Sequence, residues 1–441
     1  MKSLSKFFIV CLSFLSLDPA HAAMAPLKIG LKEAKDRARN AGKEILVARS
    51  EKEIQAEEVS RSFAQFFPKV SLNAATGTMH DRAPNPGEKS IPEVGRDRNI
   101  YSGKVVLTQS LFSGFKDSSD YQAQKAQFAI KEEKERATIQ DRMMEVTNLY
   151  FSIQLLGKEI SLEEESGKVF FERLAQVNER IKVGRSTTLE KLQAELALKN
   201  LESSTLKLKS QLEQKALQFA RLIGSALDQP IELVDQLESA QGVLEKMRWP
   251  EIDQALEMAL AQNTQVLQIE GEKKLTIAQN RLATSESLPK IDLEAFGGMD
   301  SFRQDEIGAS RGMTYGFQLK VNIPLFSGLS SFAARREETA RMTQINYKGA
   351  LVRENIFETL RGLYRDWEVN KKDIDAQKTS AQMAQEIVTR AESLYFVGRV
   401  PFSEVLDSYA KRLEAKKTLY RSYLDRIMLA IQLKNIMGLE S

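Results

Sequence analysis

The sequence predicts a mainly α-helical fold with a small β portion, in which long coiled-coil helices form a helical barrel. Three observations predict this fold. The chain contains an internal repeat of fixed length, proline-free stretches carry apolar residues at heptad spacing, and short segments alternate apolar with polar residues. All three lie after an N-terminal segment that has the features of an export signal.

Residues 1–22 have the three parts of a secretory signal peptide. Lys2 and Lys6 form a basic region, and residues 7–17 form an apolar region. Ala20-His21-Ala22 has the small-x-small pattern of a cleavage site. The apolar region has about 11 residues, whereas a helix that spans a membrane needs about 20. We therefore expect cleavage after Ala22 and export of the mature chain.

Composition limits the chemistry of the mature chain. The signal contains the only cysteine, Cys11, and one of the two histidines, so that His80 alone remains. Disulfides, thiolate metal sites and cysteine nucleophiles are therefore excluded. The formal net charge of +3 on 441 residues is too small for a nucleic-acid-binding surface. Acidic and basic residues are intermixed along the chain, which indicates solvated helix faces. We expect no enzymatic activity, no cofactor, no metal site and no nucleic-acid partner.

The internal repeat sets the domain organisation. Three short motifs recur with their two copies 214 residues apart (325 minus 111, for example): Leu111-Phe112-Ser113-Gly114 with Leu325-Phe326-Ser327-Gly328, Val183-Gly184-Arg185 with Val397-Gly398-Arg399, and Leu222-Ile223-Gly224 with Ile436-Met437-Gly438. The constant separation indicates a length that is fixed by packing. We expect a first structural repeat over 23–224, an inter-repeat linker over 225–250 and a second repeat over 251–441.

The segment between Gly114 and Gly184 contains no proline and carries apolar residues in two heptad registers. These residues are Ile139, Val146, Ile153, Ile160, Leu174 and Ile181 in one register and Leu149, Leu156, Phe170 and Val177 in the other. The pattern predicts a coiled-coil helix over 117–183, about 100 Å long. The flanking helices predicted over 29–67 and 186–223 are about 57 Å each. Because two short helices end to end match one long helix, we expect every long helix to pair with two stacked short ones.

Segments with alternating apolar and polar residues precede each long helix. They run over 101–111 in the first repeat and over 291–295 and 315–325 in the second. Alternation over about 10 residues is typical of transmembrane barrel strands, but a half-buried hairpin of a soluble protein has the same pattern. The export signal favours the barrel. The segments 78–99 and 298–313 are rich in Asp, Arg, Pro, Asn and Gly, which predicts exposed loops that join the strands.

One motif near the end of the chain is highly specific. Residues Tyr395 to Asp407 read Tyr-Phe-Val-Gly-Arg-Val-Pro-Phe-Ser-Glu-Val-Leu-Asp, and a weaker copy runs from Val183 to Leu192. This motif is similar to the Tyr-x-Val-Gly and Asp-Val-Leu-Asp segment of the TolC family of outer-membrane factors. Together with the gapless repeat, it makes essentially the whole mature chain resemble that family, which provides the exit ducts of tripartite efflux pumps and type I secretion systems.

The resemblance implies a homotrimer in which each subunit contributes four transmembrane strands, completing a β-barrel, and helices that form a periplasmic tunnel. Three copies of four strands give an even-numbered barrel, although the residue patterns alone do not choose three copies over two or four. The implied location is the cell outer membrane, extending into the periplasm. The implied partners are outer-membrane lipid, a periplasmic adaptor protein and an inner-membrane transporter.

The resemblance also implies a channel entrance. Tyr395 matches a tyrosine that helps to latch the closed entrance, and Glu404 and Asp407 match an acidic pair that lines it. Their i, i+3 spacing places both carboxylates on one helix face, where symmetry would gather them into rings that favour cations. Coiled-coil core would equally explain the tyrosine, and solvated surface would explain the acids. Val400 stands where some relatives have a latch arginine, which is a departure from the family.

The turns that follow the long helices form a second implied region. Six residues there would contact the hairpins of an adaptor protein: Val183, Gly184, Arg185, Val397, Gly398 and Arg399. Left-handed helix C-caps would suffice to explain the two glycines. The family commonly has an apolar residue after this glycine, so the two arginines change the detail of the contact.

A second class of function explains part of the same pattern. A non-conducting periplasmic or surface coiled-coil scaffold would have the export signal and the heptads, but its alternating strands would have no role. We therefore expect an outer-membrane channel subunit that acts as a passive exit duct across the outer membrane and periplasm. A hydrolase with paired carboxylates is not expected, because no accompanying catalytic residues are present.

Overall fold

The computed structural model describes residues 27–81, 96–227, 229–301, 313–326 and 328–439. The export signal predicted over 1–22 lies outside them. In chain order the elements are β1 (Leu27–Ile29), α1 (Leu31–Ala41), α2 (Lys43–Phe63), a 3₁₀ turn (Ala64–Phe66), β2 (Lys69–Asp81), β3 (Arg96–Phe112), α3 (Lys116–Lys182), α4 (Thr188–Leu222), β4 (Ile231–Leu233), α5 (Leu237–Glu245), α6 (Ile252–Gln262), α7 (Thr264–Ser285), β5 (Lys290–Ser301), β6 (Met313–Asn322), α8 (Ser330–Phe396) and α9 (Phe402–Ile436).

The two halves of the chain have matching helix lengths. α3 and α8 each have 67 residues, α4 and α9 each have 35, and α1 and α6 each have 11. At 1.5 Å per residue the long helices extend for about 100 Å. The helix predicted over 117–183 is therefore confirmed by α3.

The helix predicted over 29–67 is interrupted, and this part of the prediction is wrong. Residues 27–29 form β1, and Gly42 separates α1 from α2. A Cβ on Gly42 would lie 2.6 Å from the carbonyl oxygen of Ala38, so the backbone there leaves no room for a side chain. Asn263 separates α6 from α7 in the second half, so each short helix before a strand pair consists of two pieces.

Each long helix packs against stacked short helices. α3 contacts α2 near the sheet, where Lys131 donates to Glu51 at 2.9 Å, and contacts α4 further along, where Ser204 donates to Glu163 at 2.6 Å. α3 also contacts α7 and α9, and both of these contact α8. The helical layer has four positions side by side. They are occupied in order by the stacked helices α2 and α4, by α3, by the stacked helices α7 and α9, and by α8. The predicted pairing of one long helix with two short ones is confirmed, and the layer has two free edges.

Strands β2, β3, β5 and β6 form one antiparallel sheet in that order, so β2 and β6 are its free edges. The two halves of the chain join at its centre, where Val105 of β3 lies opposite Gly297 of β5. Tyr315 and Phe317 project from one face of β6 with 86% and 82% of their surface accessible. The sheet therefore has unpaired edges and an apolar face on an edge strand.

The loops predicted over 78–99 and 298–313 are shorter than expected. β2 continues to Asp81, and β5 continues to Ser301. Ladder hydrogen bonds join backbone groups, so strand pairing continues through polar residues of the kind that favour loops. The remaining parts of the predicted loops lie outside the described residues: 82–95 and 302–312.

The alternating pattern over 315–325 continues beyond its strand. β6 ends at Asn322, close to Pro324, which cannot donate a ladder hydrogen bond. Leu325 and Phe326 follow outside the sheet, and both are exposed. Side-chain alternation therefore overestimates the length of this strand.

The main hydrophobic core surrounds the junction of the two halves. Its fully buried members include Ile29, Tyr150, Phe219, Leu360 and Leu433. Residues 225–250, predicted as a linker, contribute to this region: β4 pairs in parallel with β1, and α5 packs against α9. The junction is therefore built into the packed centre of the molecule.

Candidate functional site at the helical tips

Both long helices end in the same hydrogen-bonded turn. The amides of Gly184 and Arg185 donate to carbonyls three and five residues earlier, at 3.0 and 2.8 Å. Gly398 and Arg399 make the corresponding bonds at 3.0 and 2.9 Å. This is the Schellman motif, which needs a positive φ at its glycine, and the observed φ angles are 70° and 75°. The predicted left-handed C-caps are present at both turns.

The two turns expose apolar and cationic side chains. Val183 and Val397 are 67% and 68% exposed, and a Cβ on either turn glycine would meet nothing within 4 Å. Arg185 and Arg399 are exposed and form no ion pair within the described part of the chain. The turns are therefore sterically open to a neighbouring molecule. Contact with an adaptor protein stays a prediction.

A hydrogen bond joins the two helical hairpins beside these turns. The hydroxyl of Tyr395, at the end of α8, donates to Oε2 of Glu190 in α4 at 3.3 Å. The hydroxyl of Ser186 donates to the same oxygen, and the guanidinium of Arg180 lies 4.8 Å from the centroid of the tyrosine ring. Burial and the charge of Glu190 raise the pKa of the Tyr395 hydroxyl, so it remains a donor at neutral pH. Glu190, assigned from the sequence to the weaker copy of the motif, is the partner of Tyr395.

The ring of Tyr395 also packs against a small apolar core. Its centroid lies 5.3 Å from that of Phe402, which is fully buried with Val177 and Val405. Phe402 begins α9 directly after Pro401, so the returning helix is anchored at its first residue. Tyr395 therefore combines a packing contact with a polar link.

Glu404 and Asp407 lie on the exposed side of the start of α9. Val405, between them, is buried in the apolar core described above, so the carboxylates project from a different side of the helix. Neither carboxylate forms an ion pair within the described residues. Their shared face agrees with the i, i+3 spacing. Their role at a channel entrance stays a prediction.

A second polar link lies further along the hairpins. Arg173 of α3 donates to Glu392 of α8, and Tyr409 of α9 donates to the same carboxylate. Arg173 Nη2 also donates to the Tyr409 hydroxyl at 3.3 Å. The groove beside this link has a volume of about 760 Å³ and extends to Tyr395. Sequence reasoning missed the link because no short motif contains residues that are 219 and 236 positions apart.

A buried ion pair joins three helices in the same half of the molecule. Lys417 of α9 donates to Glu163 of α3 at 2.5 Å, and Ser204 and Thr205 of α4 donate to its two carboxylate oxygens at 2.6 and 2.7 Å. Glu163 is 1% exposed. Burial alone would raise the pKa of its carboxyl, but the bonds from Lys417, Ser204 and Thr205 hold that pKa below its ordinary value.

Metal-ligating side chains are scattered over the described residues, where no three of them form a group that could hold a metal ion. Within those same residues, no helix is both long enough and apolar enough to cross a membrane.

The fold is that of outer-membrane channel proteins. A solved structure of CusC matches with a TM-score of 0.82 at 19% identity, covering 93% of this chain and 92% of that one. The structure of the outer membrane protein VceC from Vibrio cholerae matches with a TM-score of 0.81 at 14% identity, covering 92% of this chain and 96% of that one. The chain belongs to the outer membrane efflux protein family, whose model matches residues 35–225 and 255–439.

Curated relatives are similar over most of their length. The alkaline protease secretion protein AprF of Pseudomonas aeruginosa is 22% identical over 348 residues, which cover 76% of this chain and 70% of AprF. The outer membrane protein TolC of Vibrio cholerae is 21% identical over 431 residues, which cover 92% of this chain and 90% of TolC.

The protein is thus an outer-membrane channel protein of the kind that serves efflux or secretion systems, and it extends from the outer membrane into the periplasm. Its family consists of ducts and is not a family of enzymes. The resemblance identified from the motif between Tyr395 and Asp407 is confirmed.

Proposed function

We propose that the protein is the passive exit duct of a tripartite efflux pump or a type I secretion system. It works as a homotrimer, with a periplasmic adaptor protein and an inner-membrane transporter as partners and outer-membrane lipid around its strands. The observation that carries this proposal is that the sheet and the helical layer have free edges on the same two sides. The relatives' names include both a protease secretion protein and cation efflux proteins, so the proposal covers both systems.

The two sides of the subunit end in different elements. One side ends in β2 and the α2/α4 stack, and the other ends in β6 and α8. Because an edge strand has unpaired backbone groups, β2 of one copy would pair with β6 of the next. A contact between unlike edges is heterologous and forms a ring when the rotation closes. Three copies of four strands would complete an even-numbered β-barrel.

The helical edges carry exposed apolar stripes. On α4 the exposed leucines are Leu189, Leu192, Leu196, Leu206 and Leu217, and on α8 the exposed apolar residues include Val369, Met383, Ile387 and Leu394. Their spacing follows heptad positions, so two such stripes can form a coiled-coil seam. Burying them against each other would remove apolar surface from water.

The internal repeat predicts the register of that seam. Glu163 of α3 contacts Lys417 of α9 within the chain. The repeat-related positions are Gln377 of α8 (163 plus 214) and Ser203 of α4 (417 minus 214). The seam between α8 of one subunit and α4 of the next would copy the internal contact, with Gln377 opposite Ser203.

The channel entrance lies at the helical tips in this proposal. The bond from Tyr395 to Glu190 restrains one hairpin against the other and would act as a latch. Three copies of Glu404 and Asp407 would place six carboxylates around a narrow opening, which favours cations. The adaptor would contact the exposed turn residues: Val183, Gly184, Arg185, Val397, Gly398 and Arg399.

Cross-linking tests the assembly. A chain with both Gln377→Cys and Ser203→Cys, treated with a short bis-maleimide, should give a covalent trimer on a denaturing gel. Each single variant should give monomers only, since Cys11 lies in the predicted signal. Monomers from the double variant would refute the proposed seam, and covalent dimers or tetramers as the largest product would refute the trimer.

Conductance tests the duct. The purified protein should form discrete channels in planar lipid bilayers and should fractionate with the outer membrane. A cleaved, soluble periplasmic monomer without conductance would support the non-conducting coiled-coil scaffold instead.

A further inference from the structure

A groove beside the main core has an apolar lining and lysines along it. It lies between α1, α3, α5 and α9 and has a volume of about 730 Å³. Its apolar lining includes Phe151, Leu244, Met247, Ile427 and Ile431. Small-molecule sites typically enclose about 300–1,000 Å³ and are lined mainly by apolar groups with a few polar ones. This groove fits that description.

Three lysines line the groove: Lys32, Lys35 and Lys434. Neither Lys35 nor Lys434 forms an ion pair within the described part of the chain, and both are half-buried. Burial, and then the nearby charge of Lys434, lower the pKa of Lys35. Two half-buried ammonium groups that repel each other are stabilised by an anion between them.

The carboxylate that lines the groove is already engaged. Oδ2 of Asp235 accepts the amide of Leu31 at 2.7 Å and the hydroxyl of Tyr150 at 2.9 Å. These bonds hold it at the N-terminus of α1, where a carboxylate is favourable. The charged residues of the groove are three lysines and this one aspartate, so the groove has a net positive charge.

The internal repeat shows that the fold does not need lysines at these positions. Before the strands the two repeats are offset by 221 residues, the separation of the Pro-Lys motifs at 68 and 289, so Lys35 corresponds to Leu256. After the strands the offset is 214 residues, so Lys434 corresponds to Ala220. Ala220 is buried and Leu256 packs against the main core. Apolar residues therefore satisfy the packing in the other half of the chain, and the lysines are a separate feature of this groove.

We propose that this groove binds a single-chain amphiphile with an anionic head group. The chain lies against the apolar lining, and Lys35 and Lys434 hold the head group by charge-assisted hydrogen bonds. The groove lies on α1, α3, α5 and α9, and none of the exposed α4 and α8 residues of the proposed seam lines it. The site is therefore separate from that seam, and its test does not depend on channel activity.

Calorimetric titration of the purified protein in a neutral maltoside detergent tests the site. The probes are octanoate, octyl phosphate and octyltrimethylammonium, each below its micelle concentration. We expect both anions to bind and the cation to show no measurable binding. Tighter binding of octanoate would indicate a fatty-acid carboxylate as the source, and tighter binding of octyl phosphate would indicate a lipid phosphate. Equal binding of cation and anions, or no binding of either anion, would overturn the proposal.

Variants locate the site. Lys35→Leu with Lys434→Ala introduces the residues of the other repeat and should weaken binding of the preferred anion at least tenfold. Lys411→Ala is the control, because Lys411 is an exposed lysine on α9 outside the groove. It should bind as the parent does. If the double variant fails to fold, Lys434→Ala alone should weaken binding at least threefold. Unchanged affinity in a folded variant would overturn the proposal.

Discussion

The hydroxyl of Tyr395 lies 3.3 Å from Oε2 of Glu190, although 205 positions separate the two residues. The tyrosine lies at the end of α8, and the glutamate lies in the first turn of α4. The backbone amide of Glu190 donates to the hydroxyl oxygen of Thr187, the N-cap of α4, at 3.3 Å. One hydrogen bond therefore connects the exposed ends of the two hairpins. A hydrogen bond to a charged group contributes about 1.5–3 kcal/mol, which contact with a partner can offset.

Tyr395→Phe should raise the single-channel conductance in planar bilayers. The substitution removes the bond to Glu190 but keeps the ring contact with Phe402, so a latch is weakened while the packing remains. Tyr347→Phe is the control on the same helix, because Tyr347 is exposed and forms no hydrogen bond within the described residues. Equal conductance in both variants and the parent would leave Tyr395 with a packing role only.

Glu404→Gln with Asp407→Asn should weaken cation selectivity and block by multivalent cations. The changes keep side-chain size and remove the charges that would be gathered at a narrow opening. Reversal potentials in asymmetric salt measure the selectivity. Glu172→Gln, which removes an exposed carboxylate of α3, is the control and should retain the parent's selectivity. Glu190→Gln should change selectivity less than the double variant. Parental selectivity in the double variant would place these carboxylates outside the conduction path.

Lys417→Ala should lower the free energy of unfolding by about 3–5 kcal/mol, because it leaves the Glu163 carboxylate buried without its cation. Lys209→Ala is the control, since Lys209 pairs with Glu164 at 2.8 Å on the surface, and it should cost about 1 kcal/mol or less. Denaturant unfolding at constant protein concentration measures both. If both variants lost the same free energy of unfolding, burial of the ion pair would not explain the cost of removing Lys417.

The same pair predicts a pH dependence. The pKa of Glu163 is lower in the folded protein than in the unfolded chain, where it is about 4.3. Its contribution to stability is therefore fully present above pH 4.3 and is lost as the pH falls through the folded-state pKa. Glu163→Gln should show a smaller loss of stability than the parent between neutral pH and this acidic range. If stability fell equally with pH in the parent and in Glu163→Gln, Glu163 would not contribute to the pH dependence.

Gly398→Ala and Gly362→Ala should change stability in opposite directions. Gly398 has a φ of 75°, where a Cβ costs about 1–2 kcal/mol, so its replacement should destabilise the turn. Gly362 lies inside α8, and a Cβ there would meet nothing within 4 Å, so alanine should stabilise the helix by about 0.5–1 kcal/mol. Amide hydrogen exchange at the end of α8 and in its middle measures the two effects. The same sign in both variants would contradict the backbone explanation.

Short-range sequence patterns predict most of the fold. Heptads and the absence of proline predict α3, and the glycines at 184 and 398 predict its turn and that of α8, because helix period and backbone sterics act over a few residues. Strand ends are less predictable. Backbone pairing carries β2 and β5 into segments whose composition favours loops, and β6 ends before its side-chain alternation does.

The sequence by itself determined the repeat, the lengths of the long helices and of the helices that return from them, the caps and the family motif at Tyr395, Glu404 and Asp407. Only the tertiary structure decided the partners of these groups. It placed Glu190 against Tyr395, Arg173 against Glu392 and Glu163 against Lys417, and it packed the linker into the core. Such contacts join residues more than 200 positions apart. They depend on the rotation and axial register of one helix against another, which a pattern repeated along a single helix does not specify.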